Sequence, residues 1–370
     1  MVDNRFDKYL ILSDLHFGVE ETSLNRSLII ESLANYIAAK GPWKSVIFSG
    51  DALDLNLSTF TISIEGKAEG GRMVIGFREF LKRLYNSPIT VGTWVYIPGN
   101  HDYVIWNLLS VKKACVDILA KGEAMRSMNQ PLKECVWEKG SAFISGVFPM
   151  EIRDKVTVEY PDHAIKYSGG KIVITHGHYL DPKQTLFKQL DKLIKEMGNV
   201  NRAVRKMFIE TAQYQAIANS ISYTPEMRKF VSYLFGPSSI AKTFRQIAGK
   251  NIGNLSRIFP FSPLRDESIN TGQLRAIEFY LRYFRDYRSP PDYFIFGHTH
   301  EQSRASTSQI QRDKRLFPDK DIQVYNAGTF LPKRNKAATF VVVEIPTRGT
   351  PNVIPVCISK HGKTIESEFH

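Results

Sequence analysis

The chain has 370 residues, of which 43% are apolar and 23% charged, and a formal net charge of +12. No uninterrupted apolar stretch reaches about 18 residues, which excludes a transmembrane helix, and the polar N-terminus leads into too short an apolar run for a signal peptide. Three cysteines without CxxC spacing exclude a disulfide framework and a zinc-thiolate site. We therefore expect a cytoplasmic protein with a sizeable core.

The first third of the chain alternates predicted strands with predicted helices. Runs of apolar residues predict strands at residues 9–13, 45–49 and 93–97. Apolar residues at helical spacing predict helices at residues 24–40, 71–85 and 104–121. This alternation is typical of an α/β sheet with both faces covered.

The rest of the chain returns to strands on either side of a long helical stretch. Strands are predicted at residues 142–146, 156–160, 164–167, 171–175, 293–296, 322–325, 338–344 and 352–359. Helical periodicity dominates between Asp181 and Arg288. We therefore predict a discontinuous α/β catalytic domain, residues 1–180 and 289–370, interrupted by a helical insertion, residues 181–288.

The predicted insertion is strongly basic. Residues 181–288 contain 18 Lys and Arg against 9 Asp and Glu, so they carry +9 of the net +12. Aromatic residues in Phe279-Tyr-Leu-Arg-Tyr-Phe284 alternate with arginines. Such a segment suits an acidic membrane surface, a nucleic acid or a phosphorylated substrate of amphiphilic character. A solvated helical surface and a core-facing aromatic stripe remain the alternatives.

Histidines and carboxylates concentrate in five short blocks. Six of the nine histidines lie in them, and every block follows a predicted strand, where α/β sheets bind ligands. The blocks are Asp14-Leu-His16, Gly50-Asp51, Gly99-Asn-His-Asp102, Thr175-His-Gly-His178 and Gly297-His-Thr-His300.

These residue types suit a phosphoesterase with two metal ions. Two divalent cations about 3.5–4 Å apart clamp phosphate oxygens and convert a bridging water into a hydroxide at neutral pH. A carboxylate is a suitable bridge between them. Mixed imidazole and oxygen ligands favour Mn, with Fe, Zn, Co or Ni as alternatives.

The order of the blocks resembles the calcineurin-like metallophosphoesterase superfamily, and Tyr325-Asn-Ala-Gly-Thr329 resembles a further strand end of that family. The resemblance implies a four-layer αββα sandwich. It implies that Asp51 bridges both metals, that His101 stabilises charge or protonates the leaving oxygen, and that Asp102 orients His101. It also implies one metal bound by Asp14, His16 and His300 and a second bound by Asn100, His176 and His298.

Comparison with branches of the superfamily narrows the range of candidate substrates. Gly50-Asp-Ala-Leu-Asp54 and Gly-Asn-His-Asp102 differ from the protein Ser/Thr phosphatase patterns. The layout is similar to the UDP-2,3-diacylglucosamine hydrolase branch, which however has Arg in place of His101 and His-Gly-Asp in place of His-Gly-His178. We therefore expect hydrolysis of a phosphate ester or pyrophosphate bond on a nucleotide- or lipid-linked substrate, with the protein peripheral at a membrane in the second case.

The sequence leaves the function and the roles of two residues, His178 and Asp54, open. A nuclease or phosphodiesterase whose insertion grips nucleic acid is the alternative function, followed by a non-catalytic scaffold. His178 has either a substrate-binding or orienting role, or simple exposure to solvent. Asp54 either orients a ligand or begins a helix.

Overall fold

The computed structural model describes residues 6–19, 21–55, 69–86, 90–103, 105, 136–139, 146–180, 198–199 and 269–368. Strands within these ranges are β1 (Phe6–Leu12), β2 (Trp43–Ser49), β3 (Val91–Ile97), β4 (Val136–Lys139), β5 (Val156–Tyr160), β6 (Asp162–Tyr167), β7 (Gly170–Thr175), β8 (Tyr293–Phe296), β9 (Ser303–Ser306), β10 (Gln323–Asn326), β11 (Lys336–Pro346), β12 (Asn352–Ser359) and β13 (Thr364–Glu366). The longer helices are α1 (Ser27–Lys40), α2 (Glu69–Asn86) and α3 (Thr271–Phe279), which continues as a π-helical turn, Tyr280–Phe284.

The strands form two mixed sheets, so the protein is a mixed α/β protein. The larger sheet has the order β13-β12-β11-β1-β2-β3-β5-β4, and the smaller has the order β6-β7-β8-β10-β9. Neighbouring strands are parallel at the centre of each sheet, from β1 to β3 and β5 in the larger and across β7, β8 and β10 in the smaller. Antiparallel strands flank these parallel centres.

One apolar cluster is shared by the two sheets. It takes alternate residues of the larger sheet, such as Ile11 and Ile47, and residues of the smaller sheet, such as Ile174 and Ile295. Because side chains alternate along a strand, the residues between them point to the opposite faces. Burial of both faces explains why the central strands are continuous apolar runs in the sequence.

The helices cover the other faces of the sheets. Leu33 and Ile37 of α1 and Phe77 of α2 belong to the same cluster as Phe48 and Trp94 of the larger sheet. On the smaller sheet, Tyr280 packs against Phe294, with ring centroids 6.3 Å apart. Asn270 begins α3 with a capping box, in which its side chain accepts from the Gln273 amide and the Gln273 side chain accepts from the Asn270 amide.

The helix predicted at residues 24–40 begins later than the periodicity indicated. Arg26 has an extended backbone, φ −105° and ψ 116°, and α1 begins only at Ser27. The preceding residues are held by tertiary contacts, because the Ser23 amide donates to Phe330 O at 2.8 Å and the Thr22 hydroxyl donates to Leu15 O at 2.7 Å. Long-range hydrogen bonds therefore override the local helical pattern at this end.

Most other predicted elements are observed within one to three residues of their expected ends, whereas β4, β9 and β13 were not predicted. These three are edge strands of three or four residues, and they lack a long apolar pattern. Residues 181–268 of the predicted insertion lie largely outside the described part of the chain. The same holds for most of the predicted elements at 104–121 and 142–146. Within the described ranges, none of the helices is both long and apolar enough to cross a membrane.

Candidate metal centre

The side chains singled out in the sequence lie just past the ends of five strands. Backbone hydrogen bonds join the loops that carry them: the Asp14 amide donates to Gly50 O at 3.0 Å and the Gly297 amide to His176 O at 3.0 Å. Parallel strands place their carboxyl ends at one edge of a sheet, so the loops of both sheets converge. The contributions are Asp14 and His16 after β1, Asp51 after β2, Asn100 and His101 after β3, His176 after β7, and His298 and His300 after β8.

The candidate ligand atoms form two buried groups. Asn100 Oδ1 lies 2.9 Å from His176 Nε2 and so joins the second group. His101 forms a further group with His16 and Asp51. In each of the two main groups the ligand atoms lie within 4.8 Å of one another, and these groups are Asp14, His16 and His300, and Asp51, His176 and His298. The structure thus brings the seven predicted metal ligands together.

Two polar atoms in this cluster are buried without a hydrogen bond. Asp14 Oδ1 lies 2.9 Å from His300 Nε2, yet it makes no hydrogen bond of suitable geometry, and neither does His298 Nε2. Likewise the Nε2 atoms of His16 and His300 face each other at 3.2 Å. Buried polar atoms are normally hydrogen-bonded, so such exceptions need a partner of another kind. Imidazole nitrogens and carboxylate oxygens that converge in this way fit divalent metal ions.

The backbone at the candidate ligands is strained. Asp14, His16, Asp51, His298 and His300 all have φ between 51° and 67°. They are five of the seven non-glycine residues with positive φ in the described ranges. A left-handed conformation is unfavourable for such residues and concentrates at functional sites. The left-handed φ turns the chain at each of these residues, just past the end of a strand, and their side chains converge on one centre.

The electrostatics keep the carboxylates charged. Burial alone would raise the pKa of Asp14, but the neighbouring His300 and His176 outweigh it and hold that pKa well below its usual range. The same competition, with His176 and His101 as the main partners, lowers the pKa of Asp51. Burial lowers the pKa of His298 to about 3 and also lowers that of His300, so both imidazoles keep a free lone pair at neutral pH. Charged carboxylates and neutral imidazoles at these four positions suit metal coordination. At His16 and His176 burial would lower the pKa, but the neighbouring carboxylates raise it above its usual value.

Asp54, which the sequence left open, connects two histidines of the centre. Its Oδ2 lies 3.0 Å from His16 Nδ1, and its Oδ1 forms a short hydrogen bond with His101 Nδ1. A carboxylate on Nδ1 leaves Nε2 directed into the centre and sets the orientation of both rings. Burial would lower the pKa of His101, but Asp54 and then Asp51 raise it above its usual value.

Asp102 makes contacts that differ from those expected from the sequence. The sequence assigned it to orient His101, but Asp54 makes that contact. Asp102 Oδ2 instead accepts from the Ala52 amide at 2.9 Å and from the Tyr96 hydroxyl at 2.6 Å, and its Oδ1 accepts from the Gly99 amide. Asp102 therefore clamps the loop after β2 to the loop after β3.

His178 is fully buried, which excludes simple exposure to solvent. Its Nε2 lies 3.3 Å from the Tyr160 hydroxyl, and its ring centroid lies 5.5 Å from that of His176. β7 ends at Thr175, and Gly177 with φ 91° turns the chain before His178. His178 therefore packs behind the candidate ligands.

Supporting residues further along the chain hold the ligand loops. The Asn326 side chain donates to Gly297 O at 2.8 Å, and the Thr329 hydroxyl donates to Asp14 O at 3.2 Å. These are the strand-end residues noted in the sequence. The sequence reasoning missed Ser13, whose hydroxyl donates to Asp14 Oδ2, and Lys333, whose ammonium donates to His300 O at 2.6 Å. Ser13 is a small polar residue directly before Asp14, and that position is the sequence signal that could have identified it.

Gly99 is required by the close packing of the ligands. A Cβ there would lie 2.2 Å from Asp51 Oδ1 and 2.8 Å from His176 Cδ2. We expect Gly99→Ala to displace these side chains and to lower the affinity for Mn²⁺ by about 10–100-fold, because substitutions that misplace metal ligands have effects of this size. Gly146→Ala, where a Cβ meets nothing within 4 Å, is the matched control. Equal Mn²⁺ affinities of the two variants would contradict this packing argument.

No curated protein matches this chain significantly. Similar solved structures include a conserved uncharacterized protein, a predicted phosphoesterase, from Streptococcus pneumoniae TIGR4, with 11% identity, 98% of either chain covered and a TM-score of 0.29. Another is GAP50, the anchor in the inner membrane complex of Plasmodium, with 10% identity, 99% of this chain and 90% of that chain covered and a TM-score of 0.36.

The family match covers the candidate centre. The sequence model of calcineurin-like phosphoesterases matches residues 8–302, a range that includes all five blocks from Asp14 to His300. The family consists of metal-dependent hydrolases of phosphate esters, and the buried groups of histidines and carboxylates agree with that chemistry. The chain therefore belongs to the calcineurin-like phosphoesterase family.

Proposed function

We propose that this chain is a dinuclear metal-dependent phosphoesterase that hydrolyses a phosphate ester or a pyrophosphate bond. The observation that carries the proposal is the pair of buried donor groups, each with ligand atoms within 4.8 Å of one another. Asp51 belongs to the second group. It also forms a third group with His101 and with His16, which is a member of the first group, so Asp51 lies between the two. A carboxylate in that position is suited to bridge two cations.

The ligand assignment follows the two groups. Asp51 is the bridge, and Mn is the metal we propose, since mixed imidazole and oxygen ligands suit it. When bound, the two cations supply Lewis-acid stabilisation of the phosphate oxygens and lower the pKa of water near them. The first metal is assigned to Asp14, His16 and His300, and the second to Asn100, His176 and His298.

His101 is the proposed catalytic residue. Its backbone amide donates to Asp51 Oδ1 at 2.8 Å, and its ring is held by Asp54, so the imidazole has a fixed position at the rim of the centre. Burial would lower the pKa of His101, but the neighbouring Asp54 and Asp51 raise it above its usual value. A protonated imidazole there stabilises negative charge on the phosphate or donates a proton to the leaving oxygen.

The finer architecture and the partners are part of the same proposal. We infer a four-layer αββα sandwich from the shared apolar cluster between the sheets and the helices on their other faces. The basic stretch at residues 181–288 is inferred to be an insertion that contacts an anionic, amphiphilic substrate or an acidic membrane surface. A cytoplasmic location is part of this proposal.

Removal of His101 should lower turnover while metal binding persists. We expect His101→Ala to reduce kcat by about 10²-fold, the usual contribution of a positioned proton donor, with Mn content unchanged. His163→Ala is the matched control, because His163 is partly buried on β6 and pairs with Glu159 outside the centre. An unchanged kcat in His101→Ala would remove the proposed role.

The overall proposal is tested by a hydrolysis panel with the Mn-loaded protein. The panel contains p-nitrophenyl phosphate, bis-p-nitrophenyl phosphate, UDP-linked lipids and single-stranded DNA. Turnover of an ester or pyrophosphate substrate supports the proposal. Cleavage of DNA with a steep salt dependence would favour the alternative nuclease, whose basic insertion grips a phosphate backbone. Full metal loading without any turnover would leave a binding scaffold.

A further inference from the structure

A cavity of about 510 Å³ lies beside the candidate metal centre, on the side of the segment that joins β10 to β11. The described residues that line it include His300, Thr329 and the cationic side chains Lys333, Arg334 and Lys336. Glu301 is the acidic residue among them. The cavity therefore has a positive lining and begins at a proposed metal ligand. Its volume lies within the range of about 300–1,000 Å³ that is usual for small-molecule sites.

The cationic residues lie on a tight turn that the backbone holds in place. The Lys333 amide donates to Lys336 O at 2.9 Å, and the Lys336 amide donates to Lys333 O at 2.8 Å. At the tip, Asn335 O accepts from the Lys360 amide at 3.1 Å, and Arg334 has a left-handed φ of 46°. Such a φ is uncommon for a long side chain, and here it belongs to the two-residue hairpin turn that the paired Lys333 and Lys336 close.

The same segment is fastened to the metal centre. Lys333 Nζ donates to His300 O at 2.6 Å and lies 3.5 Å from Glu301 Oε2. The Phe330 amide donates to Asp14 O at 3.0 Å. The positions of the cationic side chains on this turn are therefore coupled to the positions of two proposed metal ligands, Asp14 and His300.

We propose that this cavity binds a second phosphate group of the substrate, next to the phosphate that reacts at the metal centre. The inference rests on the proposed phosphoesterase function and narrows its substrate to molecules with a diphosphate group. In the described part of the chain, the side chains of Arg334 and Lys336 form no ion pair, so their charge is available to a ligand. Arginine and lysine are the usual side chains for phosphate recognition.

The test compares ligands that differ by one phosphate-like group. The variant is Arg334→Asn combined with Lys336→Gln, because Asn accepts a left-handed φ and both positions are exposed. Binding of methylenediphosphonate and of methylphosphonate to the Mn-loaded full-length protein is measured by calorimetry at fixed free Mn²⁺. We expect Kd for the diphosphonate to rise about 10-fold and Kd for the monophosphonate to change less than about 2-fold. Arg312→Gln combined with Lys314→Gln, an exposed pair with the same spacing outside the cavity, should change neither value.

The outcomes separate this inference from the proposed function. Equal effects of the double variant on both phosphonates, or no effect on either, would overturn the second-phosphate site even if the protein hydrolyses p-nitrophenyl phosphate. A selective loss of diphosphonate binding supports it, and calorimetry detects this loss whether or not any ester is hydrolysed. UDP and geranyl diphosphate as further ligands identify the carrier of the diphosphate group. Tighter binding of one supports a nucleotide or a lipid carrier, and binding of neither would contradict the inference.

Discussion

Replacement of Asp51 by Asn should lower kcat for phosphate-ester hydrolysis by at least about 10³-fold, which corresponds to about 4 kcal/mol of lost transition-state stabilisation. The substitution keeps the size of the side chain and an oxygen that can accept from the His101 amide, the present 2.8 Å hydrogen bond of Asp51 Oδ1. It removes the negative charge beside His176 Nε2, which lies 3.1 Å from Asp51 Oδ2. The change in kcat therefore reports the loss of the negative charge, because the size of the side chain is kept.

The physical reason is the repulsion between two cations held close together. Two unit charges 4 Å apart interact by about 4 kcal/mol at an effective dielectric constant of 20, so two divalent cations repel about four times as strongly, and the bridging carboxylate offsets part of this repulsion. We expect the Asp51→Asn protein to hold less Mn by elemental analysis, in addition to its loss of kcat. Asp313→Asn, an exposed carboxylate outside the centre, is the control. Full metal content together with normal kcat in Asp51→Asn would refute the bridging role.

Asp102→Ala should destabilise the fold by about 3–5 kcal/mol, the usual effect of removing one partner from a buried, charged hydrogen-bond network. The carboxylate accepts from the Ala52 and Gly99 amides and from the Tyr96 hydroxyl, all in the protein interior. Alanine would leave these donors buried without an acceptor, and each unsatisfied group has a desolvation penalty of about 1–3 kcal/mol. The free energy of unfolding in urea measures the loss.

The same experiment distinguishes a structural clamp from a catalytic group. If Asp102 acts through the loops, the folded Asp102→Ala protein loses metal affinity and stability together, because the loops after β2 and β3 lose the link that this carboxylate makes between the Ala52 and Gly99 amides. Asp313→Ala, on the exposed turn of Arg312–Lys314, should leave the free energy of unfolding within about 0.5 kcal/mol of the parent value. A stable Asp102→Ala protein would show that the loops hold their places without this carboxylate.

The sequence by itself determined the strands, the candidate ligands and the family resemblance. The buried strands are continuous apolar runs and their ends carry the polar blocks, so Asp14, Asp51 and His176 could be singled out as candidate ligands, and the resemblance implied their roles. That reasoning works because parallel strands of an α/β sheet bring their carboxyl ends together whatever the loops do. The family match over residues 8–302 agrees with the resemblance drawn from these blocks.

The tertiary structure decided what each carboxylate beside the ligands contacts. Asp54 lies three residues after Asp51 and Asp102 lies one residue after His101, and sequence spacing does not reveal which of these two carboxylates contacts the His101 ring. The left-handed backbone at Gly50 and Asp51 and the hydrogen bonds between loops of different strands set those directions. The cationic turn from Lys333 to Lys336 was hidden for the same reason, because it is distant in sequence from Asp14 and meets the centre only through hydrogen bonds formed on folding.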